Sequence, residues 1–177
     1  MTDVRAARPR AHPFPMIRGG GLFVLCVGLG ITLGTLLGGG EPVRRPLFYL
    51  GIAAGVAALS ALGGRLAYGA PTRGQVAALV GAIALEVLLF AALSLLPGGR
   101  DARTDWLLAL LIVGVHFLPM AFAFGPPMAL LGGLCIANAA AGLRLGAVPF
   151  ALFGVMDGLL KIAIGLAMAR ARPARPA

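Results

Sequence analysis

The chain alternates between long apolar runs and short stretches of Gly, Pro and charged residues, and this alternation predicts its elements. The apolar runs cover roughly Gly20 to Leu37, Leu47 to Leu66, Val76 to Leu96, Trp106 to Phe124, Met128 to Leu143 and Val148 to Ala169. Most come near the about 20 residues a helix needs to cross the hydrocarbon of a bilayer. Helices are required, because a spanning segment must satisfy its own backbone polar groups in lipid. The breaks at Gly38 to Pro42, Ala70 to Gly74 and Pro97 to Asp105 are rich in turn residues and charge. Gly125-Pro126-Pro127 is a tighter break before a shorter run. Two arrangements are therefore open: six spans, or five with the fourth and fifth segments forming a re-entrant or tilted hairpin. The predicted fold class is all-α, a polytopic transmembrane helix bundle of about six helices.

Composition removes the water-soluble alternative. Apolar residues make up 59% of the chain, charged residues 12%, and the mean hydropathy is +0.95, against roughly half apolar and a quarter charged in soluble domains. Too little polar surface exists to cover a globule, whereas lipid accepts the apolar exterior. The lipid bilayer is thus the first expected partner, with a homo-oligomer or a second membrane protein as a further one. The 177 residues fit one transmembrane domain over 19–170, flanked by a Pro- and Arg-rich tail over 1–18, expected to be disordered, and a short tail over 171–177. An Arg-rich stretch precedes the first run, but no Ala-x-Ala-like cleavage site follows it and five more runs do, so an uncleaved first helix is expected.

The net charge of +9 does not imply nucleic acid, because the basic residues are scattered over tails and loops. They act as topology signals. With six spans, nine arginines (Arg5, Arg8, Arg10, Arg18, Arg65, Arg73, Arg170, Arg172 and Arg175) share the side of both termini, and five (Arg44, Arg45, Arg100, Arg103 and Arg144) face the other. The positive-inside rule then places both termini in the cytoplasm. The dominance of Arg, Ala, Gly, Leu and Pro suits a bacterium with GC-rich coding, and hence the bacterial inner membrane. Cys26 and Cys135 lie inside apolar runs and read as small packing residues, too few for a disulfide framework or a metal site. No cofactor and no metal are expected.

Four ionisable residues near mid-bilayer depth carry the candidate chemistry: Glu86, His116, Asp157 and Lys161. A charge at that depth costs from about 2.5 kcal/mol to several times more, so such residues usually face the bundle interior. Glu86, isolated within Gly81 to Phe90, is expected to be protonated or paired: either a proton or cation site, or a neutral carboxyl gluing helices. Asp157 and Lys161, four residues apart on one helical face, can neutralise each other or open to bind solute. His116 precedes Pro119, which cannot donate to the carbonyl of Val115, so a kink and a free acceptor are expected beside the imidazole. The histidine suits a proton relay or a structural hydrogen bond. Asn138 is an amide suited to interhelical contact. Gly30-x-x-x-Gly34-x-x-x-Gly38 and Gly51-x-x-x-Gly55 offer small faces for a neighbouring helix or a dimer. Glu86 and Asp157 occupy corresponding places if the chain is two inverted three-helix halves, although their neighbours do not align.

The stretch Gly114-Val115-His116-Phe117-Leu118-Pro119-Met120, followed by a short helix and Gly154-x-x-Asp157-Gly158-x-x-Lys161, resembles a pattern in uncharacterised small multi-pass bacterial inner-membrane proteins. The resemblance covers spans four to six and implies no activity. No Walker loop, Gly-x-Ser-x-Gly elbow or His-Glu-x-x-His motif is present, which argues against classical hydrolases, kinases and ATP-driven pumps. Small-solute or proton-linked transport is the favoured expectation, through a polar pocket formed by spans three to six, with Glu86 and His116 exchanging protons and Asp157 and Lys161 binding or gating solute. A non-catalytic accessory or structural membrane protein is the alternative. A small lipid-modifying enzyme with His116 and Asp157 as acid and base is a third.

Overall fold

A computed structural model of the chain describes residues 12–38, 40–96 and 99–172. Six helices follow in order: α1 (Ile17–Leu36), α2 (Glu41–Leu66), α3 (Arg73–Leu95), α4 (Ala102–Phe124), α5 (Pro126–Arg144) and α6 (Phe150–Ala169). Each is long and apolar enough to cross a membrane. The protein is a multi-pass integral membrane protein, and the five-span arrangement does not hold. Gly125 alone reverses the chain between α4 and α5, with a φ of +94° that disfavours any side chain, and Pro126 and Pro127 open α5 where a missing N–H costs nothing. At 19 residues, α5 extends about 28 Å, close to the hydrocarbon thickness.

Helices α1 to α5 start earlier than hydropathy alone indicates, α6 two residues later, and capping and charge pairing decide the starts of α2, α3 and α4. Helix α2 begins at Glu41 with Pro42 in its first turn, and Glu41 pairs with Arg44 and Arg45 one turn on. Helix α3 opens on a capping box, in which Thr72 accepts from the Gln75 N–H and Gln75 accepts from the Thr72 N–H. Helix α4 is capped by Asp101, which accepts from the Thr104 N–H at 2.7 Å; hydrogen bonds from Thr104 hold this exposed carboxyl below its ordinary range. The expected disorder over 1–18 stops short. Residues 1–11 lie outside the described residues, but Phe14 seats its ring on Gly125, the Pro13 carbonyl accepts from Gln75 at 2.7 Å, and α1 is already helical at Ile17.

Helices α1 and α4 form the interior. Helix α1 packs between α2 and α6, α4 packs between α3 and α5, and α5 closes on α6. Under exchange of the first three helices with the last three, these contacts map onto one another, and one seam breaks the match. Among the described residues, α2 and α3 form no seam like that of α5 and α6. At the end carrying both chain termini, Arg18 donates to the Ala169 carbonyl at 3.1 Å and the Tyr68 hydroxyl donates to the Ala171 carbonyl.

Glycine lets α1 sit this deep. A Cβ at Gly28 would come within 2.7 Å of the Gly158 carbonyl oxygen and 2.8 Å of Lys161 Cβ, while one at Gly30 would stand 2.5 Å from the Leu47 carbonyl oxygen. Backbones meet on two sides of one helix, the close approach that small residues permit in lipid. Gly30, Gly34, Gly51 and Gly55 are all used in this internal contact of α1 with α2, whereas Gly38 lies in the loop. Gly28→Val should therefore lower stability by about 2 kcal/mol or more, read as loss of thermal stability in detergent. Gly133→Ala, where a Cβ meets nothing within 4 Å, should leave it unchanged.

Candidate functional site

The four ionisable residues fall into two separate places. Asp157 and Lys161 share one face of α6, as their spacing predicts, and that face is turned fully inward: both side chains have no exposure. The Lys161 ammonium donates to Asp157 Oδ2, approaches Cys135 Sγ at 3.6 Å and lies 5.6 Å from the centre of the Phe117 ring. Lys161 thus reaches α4 and α5 from α6, besides touching α1 through Gly28. Asp157 Oδ1 is buried without a hydrogen-bond partner. Asn138, one helical turn from Cys135, donates to the Phe153 carbonyl at 2.9 Å and ties α5 to α6. Thr32 and Thr35 return their hydroxyls to the carbonyls of Gly28 and Ile31, so α1 brings no competing polar demand to this seam.

Glu86 and His116 meet across α3 and α4. His116 Nδ1 stands 3.6 Å from Glu86 Oε1, an ion-pair distance rather than a hydrogen bond, and makes no hydrogen bond of its own. The imidazole is buried, while the Glu86 side chain keeps 27% of its surface exposed. Pro119 stays inside an uninterrupted α4. Its missing N–H leaves the Val115 carbonyl without its helical donor, one residue from His116.

That exposed surface faces the cleft left between α2 and α3. An upper cavity of about 550 Å³ runs from Glu41, Arg45, Arg100, Asp105 and Trp106 at the helix ends down to Glu86. A lower one of about 320 Å³ continues past Glu86 and His116 among Leu59, Leu79, Met120 and Met128. Phe48, Ile52, Glu86 and Val113 border both, which makes one groove. Pockets of this size hold small molecules. At the mouth, Glu41 accepts from Trp106 Nε1 and pairs with Arg44 and Arg45, and Arg100 binds Asp105 at 2.7 Å. The expected pocket of spans three to six is thus corrected: α1 and α2 line the groove, and Asp157 and Lys161 do not. The missed residues are the aromatic and charged ones of the first turns of α2 and α4, which the sequence shows only as interfacial residues.

A groove with a carboxyl and an imidazole at mid-depth can hold one or two protons between two bases of different helices. No three His, Cys, Asp or Glu residues among the described ones gather as a metal site. His116 is paired with Glu86, and Asp157 with Lys161.

Fold and groove together define a six-helix membrane protein with an ionisable lateral groove. The family model of DUF6609, a family of unknown function, matches residues 8–175, and the chain belongs to that family. No curated protein and no solved structure matches it.

Asp157→Asn and Lys161→Met should each cost about 3–5 kcal/mol, because each leaves an unpaired group in the core. The double change Asp157→Leu with Lys161→Met should recover most of that loss, as read by unfolding in detergent micelles.

Proposed function

We propose that the protein is a proton-linked transporter of a small solute in the bacterial inner membrane, with both termini in the cytoplasm. The observation that carries this reading is the Glu86–His116 pair in the wall of a groove that opens between α2 and α3. An intramembrane carboxyl is costly to keep, and a partly exposed one serves no packing purpose that a leucine would not serve better. Its exposure to the groove lets a proton be exchanged against a solute there. His116 gives that proton a second place to reside. Asp157 and Lys161 serve the fold in this account, since their sealed pair closes the α5–α6 seam.

By chain order, nine of the fourteen arginines fall in the segments on the side of both termini, which supports the cytoplasmic assignment. The matching packing of the two three-helix halves, with α5 closed on α6 and a groove between α2 and α3, supports a transporter built of two related halves.

In proteoliposomes with an imposed pH gradient, tested against a panel of small amines, carboxylates and neutral solutes, at least one solute should accumulate. Glu86→Gln should abolish that accumulation, and His116→Gln should change its pH dependence, with both variants folded. Absence of gradient-driven flux for every solute would remove the transport reading. Alkaline phosphatase fused after Ala177 should be inactive in a bacterial host, and a fluorescent protein at the same place should fluoresce.

A further inference from the structure

We propose that the α2–α3 groove takes an organic monovalent cation bearing apolar groups, whose positive charge replaces a proton at Glu86. This rests on the reading above that Glu86 exchanges a proton with the groove, and it names the class of solute.

Among the described residues, the bundle interior holds two acids, Glu86 and Asp157. Each lies on the third helix of its half, and the two halves pack alike. Asp157 has an internal counter-charge one turn on, Lys161, and is sealed. One turn on from Glu86 the sequence places Phe90, which lines the same groove. Glu86 therefore has no cation one turn away on its own helix, and the closed seam shows how this fold satisfies a buried acid when it supplies the cation itself. In the open seam the cation is left to come from outside.

The surroundings of Glu86 define what that cation carries. Among the described residues, His116 is the one titratable group within ion-pair distance. Lys161 of α6 is near enough to act on Glu86 electrostatically but is held by Asp157. Glu41, Arg45, Arg100 and Asp105 stand at the mouth, where Glu41 engages Arg45 and Asp105 engages Arg100. The groove linings contributed by α1 and α5 carry no charge. Phe48, Phe90 and Trp106 line the groove together with Glu86, and aromatic side chains are the apolar lining that tolerates and attracts an organic cation once water is displaced. Leu59, Leu79, Met120 and Met128 below form an apolar floor for its substituents. A metal ion finds one carboxylate and one imidazole here, too few ligands; a bulky ammonium or phosphonium ion finds charge, rings and apolar surface in one place.

The exchange balances in charge. In the empty groove the pair holds one proton, on Glu86 or on His116. When the cation enters, that O–H or N–H bond breaks and the proton leaves by the polar mouth to water. No covalent bond forms to the ligand, and the groove keeps the same net charge.

Tetraphenylphosphonium and its isosteric anion tetraphenylborate test this with the full-length protein in detergent, by calorimetry in buffers of different ionisation enthalpy. Expected is binding of the phosphonium with release of about one proton, and affinity rising up to about tenfold per pH unit while the pair is protonated. Glu86→Gln should abolish proton release and weaken binding at least tenfold, while Glu86→Asp should restore part of both. Ile83→Trp, which fills the lower groove from an exposed position, should block binding without touching the acid. Equal binding of the borate, or phosphonium binding that ignores Glu86 and releases no proton, would overturn the proposal. So would an absence of phosphonium binding; if some other solute still shows Glu86-dependent flux in a pH gradient, the assigned class alone is wrong and proton-linked transport stands.

Discussion

Moving a charged side chain from water into hydrocarbon is so unfavourable that a membrane bundle must match each such group within the bilayer, and this requirement organises the interior here. Lys161 sets the terms. Its ammonium is satisfied by Asp157 on its own helix, by Cys135 on α5 and by the Phe117 ring on α4, and its stem lies against Gly28 of α1. Four helices are thereby fixed around one charge, and the fourth can come so close only because Gly28 and Gly158 bring backbone against backbone. Removing one partner would strand the other without solvent, so the pair holds the bundle by the cost of its separation rather than by a large net attraction.

With that seam closed, the exception gains meaning. The first three helices pack as the last three do, except that α2 and α3 leave a groove where α5 and α6 meet. Arg103 strengthens the closed side by donating to the carbonyls of Gly142, Leu145 and Val148 at the end of α5. On the open side, among the described residues Glu86 pairs with His116 alone, at a distance too long for a hydrogen bond. The fold thus contains a matched acid that builds it and an incompletely matched one that is free to exchange its partner.

Hydropathy made the six spans legible because each helix must cross the same thickness of lipid, and the apolar runs end where lipid ends. Helix starts were less legible: Glu41, Thr72 and Asp101 are polar residues that cap or pair, and no hydropathy window registers a cap. The Asp157–Lys161 pair could be read from its spacing of four. The Glu86–His116 pair could not, because thirty positions of sequence and an intervening turn separate two residues that only the antiparallel packing of α3 on α4 brings together. Nor could the groove, since it arises where two helices fail to meet, and a missing contact leaves no periodicity in either of them. Within α1, Gly28 and Gly30 sit two residues apart and serve different neighbours, a distinction that small-residue spacing alone does not make.

Glu86 faces an open groove while the second acidic site is sealed, and thiol labelling measures this difference directly. In a Cys26→Ala background, Cys135 reports the sealed core, where it has no exposure, and Glu86→Cys places a second thiol in the groove. A small hydrophilic thiol reagent added to the folded protein in membranes should modify the cysteine at position 86 and leave Cys135 unreacted until the protein is unfolded. Equal resistance of both cysteines, or modification of Cys135 in the folded protein, would contradict the account.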